Sequence, residues 1–127
     1  MSNNILGRRI RELRSARRWD QRTLAELVDA RVFPGRRGFD VTYLSKIENG
    51  RVAPPSVPVL LALAEELGAE ADELLALGGR SPLGLAGLLR ESAGARAFWQ
   101  QAAELDLAEG DWLRLAELAR TLVEGRR

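Results

Sequence analysis

Apolar residues recur at helical spacing from the first turns of the chain. Leu6, Ile10 and Leu13, with Ile5 and Ala16, predict an amphipathic helix over about residues 3–18, and arginines fill its polar face. Asp20 is a suitable N-cap for a second helix over about 21–29, whose apolar face is Leu24, Ala25, Leu27 and Val28. The stretch from Val32 to Phe39 contains one proline, two glycines, two aromatics and two arginines, and predicts an ordered loop. Asp40 then caps a third helix, with Leu44 and Ile47 on one face, Thr42, Lys46 and Asn49 on others, and Gly50 ending it. After the Pro54-Pro55 turn, Ser56 caps a fourth helix that tolerates Pro58 in its first turn, turns Leu60, Leu61, Leu63, Ala64 and Leu67 inward, and stops at Gly68. A short fifth helix, about 70–77, presents Leu74, Leu75 and Leu77.

Two glycines and a proline between leucine-rich segments make Gly78 to Pro82 the best boundary in the chain. Three further helices are predicted near 82–91, 94–106 and 109–124. Phe98, Trp99, Ala102 and Leu105 form one apolar stripe there, and Trp112, Leu115, Leu118, Ala119 and Leu122 another. The expected fold is all-α, with a first domain over 1–79, carrying an enlarged turn at about 30–39, and a helical region over 80–127.

Composition narrows the chemistry. The chain has 127 residues, no cysteine and no histidine, which argues against disulfides, thiol nucleophiles, zinc-finger sites and imidazole bases. The single lysine, Lys46, falls inside the third helix. Glu104, Asp106, Glu109 and Asp111 read as a solvated acidic edge rather than a metal site, and no cofactor, metal or catalytic group is expected. No apolar run is long enough to span a membrane, so the expected setting is the cytoplasm. The net charge of +1 hides a split: residues 1–56 carry twelve basic groups against six acids, and residues 57–127 carry seven against twelve. A basic half suits a polyanion, although any one arginine can simply solvate a helix face.

The run Gln21-Arg22-Thr23-Leu24-Ala25-Glu26, then Thr42-Tyr43-Leu44-Ser45-Lys46-Ile47-Glu48-Asn49-Gly50-Arg51 and Pro54-Pro55-Ser56, resembles the phage-repressor-like (XRE or Cro/C1-type) helix-turn-helix family. The opening around Leu6 to Arg14 and the segment from Leu67 to Leu75 look like the first and fifth helices of that domain. The resemblance implies a five-helix lambda-repressor-like DNA-binding domain and transcriptional regulation, more often repression, through a palindromic operator in double-stranded DNA. It implies that Val41, Thr42 and Lys46 contact bases in the major groove. It also implies phosphate contacts from Gln21, at the start of the second helix, and from Asn49 and Arg51 on the far side. Tyr43 either packs or touches phosphate. Glu48 is expected to be structural, paired with an arginine of the first helix.

One departure from the family is plain. Gln21 to Ile47 spans 27 residues here, against roughly eighteen in the family's short-turn arrangement. Arg36 and Arg37 in the additional segment are either a basic wing on phosphate or the minor groove, or solvated residues on a loop anchored by Phe33 and Phe39. The apolar stripes of the last three helices are expected to pack on a second copy, making a homodimer through Phe98, Trp99, Leu105, Trp112, Leu115, Leu118 and Leu122, although core packing explains either tryptophan equally well. An alternative is an antitoxin-like or switch subunit whose C-terminal helices bind a toxin or a regulatory peptidase while the protein autoregulates its operon.

Overall fold

The computed structural model describes residues 4–126, which form eight α-helices and no strand: α1 Ile5–Ala16, α2 Gln21–Val32, α3 Val41–Glu48, α4 Val57–Leu67, α5 Ala71–Leu77, α6 Leu85–Glu91, α7 Ala93–Glu104 and α8 Glu109–Glu124. The chain is therefore all-α, as the periodicity predicted. The expected start of the first helix at residue 3, and the two ends of the expected domains at residues 1 and 127, lie outside the described residues. The chain divides after Leu83 into two compact units.

In the first unit, each helix turns one face into a single core. Ile10 of α1, Leu24 and Val28 of α2, Leu44 of α3, Leu60 and Leu63 of α4 and Leu74 of α5 are fully buried together. Ion pairs close the rim: Arg31 of α2 meets Glu66 of α4 at 2.8 Å, and Arg9 of α1 meets Glu73 of α5 at 2.7 Å. Both are surface pairs and add little to stability singly.

The second helix runs three residues beyond the expected 29, to Val32. Ala30 and Arg31 accept helical geometry without cost, Val32 packs against the core, and the break comes only where Pro34 disfavours helical backbone at Phe33. The enlarged turn consequently starts at Phe33 rather than near 30. Ser56 occupies the N-cap position of α4, but its side chain makes no cap hydrogen bond.

In the second unit, α6 begins at Leu85, not 82. Gly84 takes the left-handed backbone (φ 84°) just before it, leaving Pro82 outside. Ser92 ends α6 and caps α7, its hydroxyl accepting from the Ala95 amide at 3.0 Å. That double use starts α7 at Ala93, and the helix stops at Glu104, two residues short of the expected 106. Trp99 of α7 stacks on Trp112 of α8 at 6.5 Å between ring centroids.

Candidate functional site

The third helix is short and well capped. The Asp40 carboxylate accepts from the Tyr43 amide at 2.8 Å, satisfying one of the free N–H groups of the first turn. At the other end Gly50 adopts φ 68°, a conformation glycine takes without strain, and its amide returns to the Ile47 carbonyl. Between these ends, Leu44 and Ile47 are buried, Thr42 and Lys46 are exposed and Val41 is half-buried. Thr42, Lys46 and Asn49 stand at i, i+4 and i+7, so they share one stripe of the outward face. Tyr43 leans its ring edge-on against Phe39, with centroids 5.3 Å apart, and is half-buried.

Behind this stripe lies a buried carboxylate. Glu48, only 1% exposed, closes α3 and receives four side-chain hydrogen bonds. Arg14 of α1 donates from Nε to Oε2 and from Nη2 to Oε1, both at 2.8 Å, as a two-pronged fork. Arg11 Nε donates to Oε1 at 3.3 Å, and Gln21 Nε2 to the same oxygen at 3.1 Å. Burial pushes the Glu48 carboxyl up, but the hydrogen bonds from Arg14 and Gln21, then the Arg14 charge, outweigh it and hold the group below the usual glutamate range. Arg14 is correspondingly raised by its bonds to Glu48, and its Nη1 is spent on the Trp19 carbonyl at 2.9 Å. The Glu48 carbonyl accepts from Asn4 Nδ2 at 2.8 Å. Arg11 Nη2 reaches on to Asn49 Oδ1 at 2.8 Å. Gln21 and Asn49, both expected to contact phosphate, are thus joined through Glu48 and Arg11.

The segment between α2 and α3 is held at both ends. Asp29 Oδ1 accepts from the amides of Gly38 and Phe39, both at 2.8 Å, and those bonds hold its carboxyl below the ordinary aspartate range. Phe39 is buried, and the Phe33 ring lies under the Arg36 guanidinium at 5.8 Å. A side chain at Gly38 would overlap the Phe33 ring. The loop is therefore anchored by both aromatics while Arg36 and Arg37 are exposed, as is Arg51 beyond α3.

The second unit keeps little of its apolar surface from water. Phe98, Trp99, Leu105, Leu118 and Leu122 are exposed, the last two by 53% and 56%, and Trp112 and Leu115 are half-buried. Among the described residues of this unit only Ala102 is fully buried. Leu88, Leu113 and Val123, absent from the expected surface, add to it.

Sequence reading missed Arg11, Arg14 and Asn4 as named partners. The available signal was a glutamate beside the buried face of α3 together with arginines spaced three apart on α1. Among the described residues no helix is long and apolar enough to cross a membrane. The family described as a helix-turn-helix domain matches residues 5–77, more than half of the chain. Neither the curated proteins nor the solved structures yield a match.

Proposed function

The chain belongs to the helix-turn-helix domain family, and from that premise we propose that it is a sequence-specific transcriptional regulator of the phage-repressor-like (XRE or Cro/C1) type, acting as a homodimeric repressor. One observation carries this reading: Thr42 and Lys46 stand exposed on one stripe of a capped helix whose opposite face, Leu44 and Ile47, is locked in the core. A helix so presented fits the major groove of B-DNA, with its first turns at the base edges. Thr42 exchanges hydrogen bonds with base edges, Lys46 donates to guanine, and Val41 meets a thymine methyl. Gln21 serves a phosphate at the start of α2, Tyr43, Arg36 and Arg37 serve phosphates near the start of α3, and the edge at Asn49 and Arg51 serves those beyond its end.

On this reading residues 1–79 bind DNA and residues 80–127 join two copies, so that the pair spans half-sites about 34–36 Å apart on one face of the duplex. Its work is binding rather than catalysis, in the cytoplasm, without a cofactor. The exposed apolar surface of α7 and α8 supports the second copy. The same surface favours a second reading, in which it takes a toxin or a regulatory peptidase and DNA binding serves autoregulation.

The test is selection of bound duplexes from random DNA at a fixed salt concentration, followed by titration of Thr42→Ala and Lys46→Ala against the selected site and its point variants. Each substitution should cost about 1–3 kcal/mol per half-site of the selected duplex and relax discrimination at particular base pairs. Undiminished discrimination in both variants would remove the assigned readers.

A further inference from the structure

The C-terminal edge of α3 holds more positive charge than its own sequence supplies. Glu48 is one negative charge facing two guanidinium groups, Arg14 and Arg11. Arg14, whose side chain is 14% exposed, has its Nε, Nη1 and Nη2 all engaged within the fold. Arg14 also feels the charge of Asp20, so the guanidinium whose charge faces water here is that of Arg11, whose side chain is 48% exposed. Arg11 spends its Nε on Glu48 and one Nη2 hydrogen on Asn49, which leaves Nη1 and the other Nη2 hydrogen unspent.

Asn49 is differently placed. Its Oδ1 accepts from Arg11, and its Nδ2 turns back to the Ser45 carbonyl at 2.8 Å and to the Ser45 hydroxyl at 3.4 Å. Its donors thus point into α3. Yet Asn49 continues the stripe of Thr42 and Lys46, so a guanidinium bonded to its oxygen sits at the end of the outward face of α3.

We infer that Arg11, on α1, is a phosphate-binding group at the C-terminal edge of the recognition helix, beside Arg51, and that Glu48 and Asn49 are positioning residues that aim it. The inference rests on the DNA-binding reading and deepens it: the backbone contact expected of Asn49 is delivered by a side chain from another helix. A guanidinium fixed at two of its edges has lost its freedom before DNA arrives, so little further order is required when its remaining edge meets a phosphate. The same bonds make Arg11 sensitive to Glu48, whose Oε1 also accepts from Gln21.

The test uses the full-length protein and a duplex carrying the sequence that the wild type selects, titrated from 50 to 200 mM salt. In the proposed homodimer Arg11→Gln removes one phosphate contact per protomer, so it should lower the slope of log affinity against log salt by about 1.8, and the factor by which affinity falls across that range shrinks about 12-fold. Arg14 still pairs with Glu48 in this variant, so the fold persists, which far-UV circular dichroism checks. Arg11→Lys keeps a cation and should recover most of the slope, and Asn49→Ala, which removes no free donor, should retain most of it. Arg11→Gln binding weakly with an unchanged slope would reduce Arg11 to a structural role and overturn the inference, as would Asn49→Ala losing the slope in its place. Wild-type protein that binds no duplex in a salt-dependent way would instead remove the DNA reading itself.

Discussion

Replacing Glu48 by glutamine keeps the volume of the side chain but removes its charge and turns one acceptor into a donor. Three donors converge on Oε1 and one on Oε2, so either orientation of the new amide sets N–H against N–H. Arg14, only 14% exposed, then loses its bonded counter-charge and keeps only the weaker attraction of Asp20. Removing one partner of such a pair costs about 3–5 kcal/mol. Arg11 reaches water, and one amide oxygen survives to accept, so the lower end, about 3 kcal/mol, is expected. For a unit of this size that corresponds to a fall in Tm of about 12–24 °C. Thermal and urea unfolding at pH 7, followed by far-UV circular dichroism, measure it. The double variant Arg14→Met, Glu48→Met should cost less than the two single changes added together, because it leaves no orphan guanidinium at that position. A loss below about 1 kcal/mol for Glu48→Gln, or full additivity in the double variant, would refute the view that charge burial dominates this site.

Two more expectations concern other observables. Because the Glu48 carboxyl titrates lower in the folded chain than when unfolded, its contribution is present above the unfolded value and is lost as pH falls through the folded one; unfolding followed downward from pH 6 should show stability dropping in acid, with a smaller drop in Glu48→Gln than in wild type. If the exposed face of α7 and α8 joins two copies, Trp99→Glu or Leu118→Glu should shift sedimentation from dimer to monomer while leaving the unfolding of the first unit unchanged, and a variant that still sediments as a dimer would contradict that assignment.

Much of the first unit was legible because its signals are local. Asp20 and Asp40 announce their helices within three residues, since the bonds that make them caps reach only to Thr23 and Tyr43. Gly50 and Gly68 mark helix ends for an equally local reason, a left-handed turn. The end of α2 was misplaced because Ala30 to Val32 carry no stop signal, and the effect of Pro34 falls on the residue before it. The Glu48 cluster was visible only as a family expectation. Its members are separated by 27 to 37 residues, beyond the reach of any periodicity. In the second unit the stripes gave the helices, but periodicity cannot say whether a stripe meets the chain's own core or water, and most of this one meets water.

Gly7 bears on a different matter. It lies buried in α1, where any side chain would overlap the carbonyl oxygens of Ile47 and Glu48. Backbone thus rests on backbone where α1 crosses the end of α3, and the Arg14 fork bolts the same crossing from the side. The attitude of α3 is referenced to α1, through contacts that bypass the segment joining α2 to α3. At its other end α3 is tied to α2 through the bonds of Asp29 to Gly38 and Phe39 and the packing of Tyr43 on Phe39, so a change of length that leaves α3 in place is confined to the stretch between Phe33 and Phe39.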